Sequence, residues 1–175
     1  MHKHIVLDLE TLGTDAGAAI IEIGAVAFGG PAPDLTFSTL INTKDAQSMG
    51  FHVDQSTVDW WKSQAFFLPE IAEEKGRNIY EALLMFSTWY NTVSNEETMI
   101  WGNSPSFDCV ILEAALAKAG LPTLWTHRQE RDLRTYRWVF PYAASHKPET
   151  PHRALDDALA EAEHLKDLLR ISQRN

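Results

Sequence analysis

The chain has 175 residues, of which 45% are hydrophobic and 22% charged, enough apolar material to bury the core of one globular domain and too much for a disordered chain. Its formal net charge of −9 excludes a module that holds a polyanion by bulk positive charge, although cations bound in an acidic site can reverse the potential locally. The lone Cys109 excludes an intramolecular disulfide and a cysteine-based zinc cluster, and it suits a reducing compartment.

Met1 leads directly into "HKHIVLDLE" without the apolar stretch of a signal peptide, and no later apolar run is long enough to cross a bilayer. A cytoplasmic protein with no membrane partner is expected. The stretch "HIVLDLETLG" (4–13) alternates as a strand, with Ile5, Leu7 and Leu9 on one face and Val6, Asp8 and Glu10 on the other. Both acids therefore share a face near the strand's C-terminal end, where open α/β sheets place their ligands. Unpaired, they are expensive to desolvate, and hard divalent cations such as Mg²⁺ favour such oxygen donors.

After the turn-like "GTDAG", "AAIIEIGAVAF" reads as a second strand, and "LTFSTLI" as a third after "GGPAPD". Short turns between the three suggest an antiparallel meander. Glu22, inside the second strand, reads as a structural partner rather than a direct ligand. From about residue 54 the period becomes helical, in "STVDWWKSQAFF" and "NIYEALLMFSTWYNTV". Trp60 and Trp61, adjacent on a helix, cannot both face the core. An exposed indole at a site's rim could stack on a base, with a dimer interface as the alternative.

"TMIWG" reads as a short buried strand. "NSPSFDCVILEAALAKAGLP" follows as a helix, with Ser104 as cap, Pro105 in the first turn, and Gly120 and Pro122 past the end, so that Asp108 falls in the first turn. "RDLRTYRWVFPY" suggests a short helix and "SHKPETP" a polar loop. The closing segment "RALDDALAEAEHLKDLLRI" repeats Leu155, Leu159, Ala162, Leu165 and Leu169 at helical spacing, a face expected to pack on the sheet. Asp157 lies near its start and His152 in the loop that enters it, while Asp156 suits the helix dipole. No repeat or linker divides the chain, so one α/β domain over 1–175 is expected.

The motifs "DLET" with Asp8 and Glu10, "NSPSFD" with Asp108, and "HRALDDA" with His152 and Asp157, joined by "IIEIGAV", occur in the order of the DEDDh exonucleases. The chain resembles that superfamily, and the stretch "FHVDQSTVDWWKSQ" looks like its small bacterial and phage branch related to the mycobacterial adenylate-directed exoribonuclease. The resemblance implies a ribonuclease H-like fold: a mixed sheet that opens with the meander and is flanked by helices. It implies a 3′-5′ exonuclease that takes single-stranded RNA or DNA with a free 3′ end and releases nucleoside 5′-monophosphates. Asp8, Glu10, Asp108 and Asp157 would hold two divalent cations, Mg²⁺ or Mn²⁺, with His152 as general base. It further implies that the Thr11 backbone meets the terminal 3′-hydroxyl and that Leu12 wedges beside the last base, with a place in the core as the alternative for Leu12.

Asn103, Phe107 and Trp61 are further expected substrate contacts. Arg131, Arg134, Arg137, Arg153 and Lys147 could meet the phosphate strand or form a solvated face. The remaining histidines, His2, His4, His52, His127, His146 and His164, are expected mostly at the surface. Six tryptophans leave aromatic area for a homodimer without identifying its interface. Two rivals stand beside the exonuclease: a haloacid-dehalogenase-like phosphatase, suggested by acid-x-acid followed by Thr and a later "DD", and a non-catalytic nucleic-acid-binding module on the same fold.

Overall fold

The alternation at the N-terminus forms strand β1 (His4–Thr11), which becomes the middle strand of a five-stranded sheet. A computed structural model describes residues 1–173; the last two residues of the expected domain lie outside the described residues. β2 (Ile20–Phe28) pairs antiparallel with β1, placing Glu10 opposite Glu22, and β3 (Leu35–Leu40) pairs antiparallel with β2. After helices α1 (Thr43–Ser48), α2 (Gln55–Lys62), α3 (Leu68–Lys75) and α4 (Ile79–Val93), the chain returns as β4 (Met99–Gly102), parallel to β1. Helix α5 (Asp108–Lys118) leads to β5 (Glu130–Asp132), parallel to β4, and then α6 (Leu133–Val139) and α7 (Ala154–Ser172) close the fold. The sheet order is β3-β2-β1-β4-β5, the mixed α/β arrangement expected from the sequence.

The two faces of β1 separate the core. Ile5, Leu7 and Leu9 pack with Ile79, Leu83 and Phe86 of α4 and Ile111 and Leu112 of α5. On the opposite face Val6 joins Val26, Trp101 and Leu133 beneath Ala158, Ala162, Leu165 and Leu168 of α7. Each fully buried Leu, Ile or Phe contributes roughly 1.5–3 kcal/mol, and this double-sided burial holds the middle strand in register. Asp8 and Glu10 share the parity of Val6, so both carboxylates face α7.

Helix α7 meets the sheet differently from the expected leucine stripe. Leu159 is 40% exposed, and the positions against the sheet are taken by Ala154, Ala158, Ala162, Leu165 and Leu168. The cause is close approach: a Cβ on Gly24 would lie 2.1 Å from the Ala154 carbonyl carbon, so the helix start rests on the β2 backbone itself. Small residues fit there, and leucines are displaced to the flanks.

Helix α5 is entered as expected through a turn headed by Ser104. The Ser104 φ of 145° is non-helical, as a cap allows, and its carbonyl accepts the Phe107 and Asp108 amides while that of Pro105 accepts the Cys109 amide. Asp108 opens the helix proper. Two histidines expected at the surface are buried. His2 lies under the N-terminus, where its amide donates to the Val93 carbonyl, and His164 lies on α7 beside His146. His4 is half-buried between Phe28 and Trp101, whose indole N–H donates to its Nδ1.

Candidate active site

Three segments bring acids to the C-terminal end of β1. Asp8 and Glu10 project from the strand toward α7. Asp108 arrives with the first turn of α5, and its Oδ1 accepts the Leu9 amide at 3.3 Å, tying that helix to the strand between the two acids. The close passage depends on Gly102, where a Cβ would stand 2.8 Å from Asp108 Oδ2. Asp157 comes from the first turn of α7, and its Oδ2 accepts the His152 amide at 2.8 Å. Donor atoms of Glu10, His152 and Asp157 all lie within 4.8 Å of one another. Glu10, His152 and Asp157 are therefore brought together, with Asp108 tied to the strand between Asp8 and Glu10.

Glu22 holds the α7 side of this arrangement. Fully buried, it accepts Arg153 Nε at 3.0 Å, Arg153 Nη2 at 2.8 Å and the Ala154 amide at 3.1 Å. Arg153 sits between His152 and Ala154, so the bidentate pair anchors the turn that carries His152. His152 has φ of 64°, a left-handed conformation, and its ring packs nearly perpendicular to Trp60 with centroids 4.9 Å apart.

The electrostatics of the cleft are those of crowded anions. Burial, then the Asp157 and Glu22 charges, pushes Glu10 up to about 8. Burial, then the Glu161 charge, pushes Asp108 up to about 8 as well. Burial, then Asp108 and Glu10, drives Asp8 well above the ordinary carboxylate range, and burial also raises Asp157. The nearby Arg153 guanidinium is engaged with Glu22. A set of convergent oxygen donors with too little positive charge beside it fits hard divalent cations, which would restore the ionised state of each carboxylate. Asp8, Glu10, Asp108 and Asp157 could hold such ions.

Asp8, Glu10 and Asp157 open into a cleft of about 450 Å³ whose walls include Thr11, Thr14, Trp60, Trp61, Asn103, Phe107 and Glu161. Several expected substrate contacts are placed otherwise. Leu12 is not among the lining residues: its side chain lies 3% exposed in the main core, because the bulge after Glu10 turns it inward. Trp61 touches the cleft but is 1% exposed, and its indole N–H donates to the Thr11 carbonyl at 2.9 Å. Trp61 thus braces the chain just after Glu10, and the free indole is Trp60, 43% exposed. Asn103 and Phe107 do line the cleft; Asn103 accepts Arg134 on its carbonyl and Arg137 on its side chain. Of the basic residues, Arg153 is committed to Glu22 and Arg131 donates to backbone carbonyls.

Glu161 escaped the sequence reading. It lies four residues after Asp157, on the same face of α7, and burial pushes it up to about 7. The available signal was that spacing, an acid one turn beyond a candidate ligand on a face that otherwise packs against the sheet. A second group, Asp15, His52 and Asp54, clusters beyond Gly13, where His52 Nε2 meets Asp15 Oδ1 at 2.7 Å on the surface. Among the described residues, no helix is long and apolar enough to cross a membrane.

Known proteins share this frame. The profile of the 3′-5′ exoribonuclease Rv2179c-like domain matches residues 3–169. An exodeoxyribonuclease of Enterobacteria phage T4 is 27% identical over 123 residues, 61% of this chain and 52% of the relative, so the chain spans about half the length of the curated relative it matches. Among solved structures, product-bound exonuclease I superposes with a TM-score of 0.66 at 14% identity, covering 100% of this chain and 44% of that one. The nuclease domain of 3′hExo, a DEDDh family member bound to rAMP, superposes with a TM-score of 0.61 at 12% identity, covering 95% of this chain and 91% of that one.

Proposed function

The chain belongs to the family of the 3′-5′ exoribonuclease Rv2179c-like domain, and from that premise we propose that residues 1–175 form one metal-dependent 3′-5′ exonuclease domain. Its substrate is single-stranded RNA or DNA with a free 3′ end, and its products are nucleoside 5′-monophosphates. The observation that carries the reading is the convergence of Glu10, His152 and Asp157 donor atoms within 4.8 Å, beside Asp8 and Asp108.

Asp8, Glu10, Asp108 and Asp157 hold two divalent cations, Mg²⁺ or Mn²⁺. When bound, these supply Lewis-acid stabilisation of phosphate charge and lower the pKa of water. The protein does the rest. His152, placed by its amide bond to Asp157 and by Trp60, accepts the proton of the attacking water as general base. The exposed edge of Trp60, with Phe107 across the cleft, offers aromatic surface to the terminal base, and Asn103 offers its amide to the sugar. The Thr11 backbone faces the 3′-terminal nucleotide from β1. The acidic surface supplies little bulk attraction, so binding rests on the end of the strand and its metals.

The phosphatase alternative fits poorly. Its second acid would be an Asp where this chain has Glu10, and β2 returns antiparallel to β1 rather than through a crossover. A non-catalytic module would not need the whole set of acids and the histidine gathered in one cleft. The family name favours RNA and the phage relative's name favours DNA, so both sugars enter the test. Strands labelled at the 5′ or the 3′ end, as RNA and as DNA, are digested with Mg²⁺ or Mn²⁺ and with chelator. The 5′ label should give a ladder shortening from the 3′ end, and the 3′ label should appear at once as mononucleotide. Internal cleavage, or activity untouched by chelator, would refute the reading.

A further inference from the structure

Resting on the metal centre just described, we propose that Glu161 is a fifth carboxylate of that centre, a ligand supplied by α7 one turn after Asp157. Its position is one where the helix otherwise presents Ala158, Ala162 and Leu165 to the sheet, and an apolar side chain would avoid the cost of burying a charge. Glu161 is 8% exposed and lines the same cleft as Asp8, Glu10 and Asp157.

Its bonding is incomplete. The Arg137 guanidinium approaches Oε1 at 3.6 Å, beyond hydrogen-bond length, and Oε2 has neither solvent nor a hydrogen-bond partner among the described residues. Arg137 is itself imperfectly used: it gives Nη1 to Asn103 at 3.3 Å, and its Nε has no partner. The same protein shows what a finished structural pair looks like. Arg153 meets Glu22 through two nitrogens at 3.0 and 2.8 Å, and a backbone amide adds a third donor. Against that standard, Glu161 retains a buried acceptor with nothing to accept, a large and specific cost. A divalent cation held beside Asp8 and Asp108 supplies the missing partner with the oxygen chemistry it favours. Arg137 then orients the carboxylate through its other oxygen.

Mn²⁺ binding to the full chain, measured by calorimetry and by electron paramagnetic resonance, separates this role from a purely structural one. Replacing partners that merely support a ligand already costs metal affinity roughly 10–100-fold, so Glu161→Gln should weaken at least one Mn²⁺ site by that much or more. Glu161→Asp, which draws the charge back by one methylene, should weaken the same site. The metal-free Glu161→Gln protein should melt no lower than the parent, because a poorly paired buried charge has been removed. Arg137→Gln, which removes only the support of that carboxylate, should weaken Mn²⁺ binding less than Glu161→Gln does while lowering the melting temperature. Parental Mn²⁺ affinity and stoichiometry in both Glu161 variants would overturn the inference. If Asp157→Asn still loses Mn²⁺, the proposed function stands without it; if Asp157→Asn also binds normally, or the parent binds no Mn²⁺, both fall.

Discussion

Replacing Glu22 by Gln tests how the sheet positions the histidine turn. In the native protein the buried carboxylate accepts two Arg153 nitrogens at 3.0 and 2.8 Å and the Ala154 amide at 3.1 Å. Gln offers one oxygen and one NH₂, and the NH₂ must face at least one of those donors. Breaking a buried ion pair costs roughly 3–5 kcal/mol. Arg153, with a side chain 37% exposed, regains some water, which brings the loss to about 2–3 kcal/mol. For a chain of this length about 2–4 °C accompanies each kcal/mol, so melting followed by circular dichroism should fall by about 4–12 °C. Because Arg153 adjoins His152, the loosened turn also misplaces His152, the proposed general base, and a shift of 1 Å can cost on the order of 100-fold. Initial rates on a single strand should show kcat falling while KM changes little. A melting point within about 2 °C of the parent, together with parental kcat, would refute the claim that Glu22 docks the start of α7.

Gly24→Ala introduces a Cβ 2.1 Å from the Ala154 carbonyl carbon; overpacking of roughly 1–3 kcal/mol should lower the melting temperature by about 2–12 °C by scanning fluorimetry. Trp60→Ala removes the ring against His152, and is expected to lower kcat, whereas Trp60→Phe should restore most of it; equal losses in the two variants would argue against a packing role. In chelator, stability should fall as pH rises from 6 to 8. The folded protein holds protons on Glu10 and Asp108 up to about 8 that the unfolded chain releases near ordinary carboxylate values, so their stabilisation is complete in acid and is lost through pH 8. Each such proton is worth about 1.4 kcal/mol per pH unit, and a thermal melt should drop by at least about 3 °C per pH unit, a slope that saturating Mg²⁺ should flatten. A flat or rising melting curve in chelator would contradict the electrostatic picture.

The acids were legible because strand parity is a local property. The alternation from Ile5 to Glu10 places Asp8 and Glu10 on one face whatever packs against them. Asp157 lies five residues after His152, and across that offset the His152 backbone N–H donates to its carboxylate, a bond that Asp156 does not receive. What sequence concealed was contact between distant segments. The face of α7 was read correctly at Ala162 and Leu165 but not at the helix start, because leucine periodicity carries no information about Gly24, whose missing Cβ lets alanines onto the sheet. Glu161 was hidden by the same error, since a helix read by its leucines leaves that glutamate on an unremarked face. Leu12 was offered to substrate by the family resemblance, and Trp61 as one of two adjacent indoles that could not both be buried. The bulge after Glu10 sends Leu12 inward, and the indole N–H of Trp61 is used by the Thr11 carbonyl.

The most direct test is a crystal soaked in Mn²⁺ and measured at the manganese absorption edge. Anomalous peaks should appear in the cleft between the carboxylates of Asp8, Glu10, Asp108 and Asp157, with the His152 ring turned toward them. An anomalous map with no peak among these side chains, from crystals that take up Mn²⁺ elsewhere, would contradict the account.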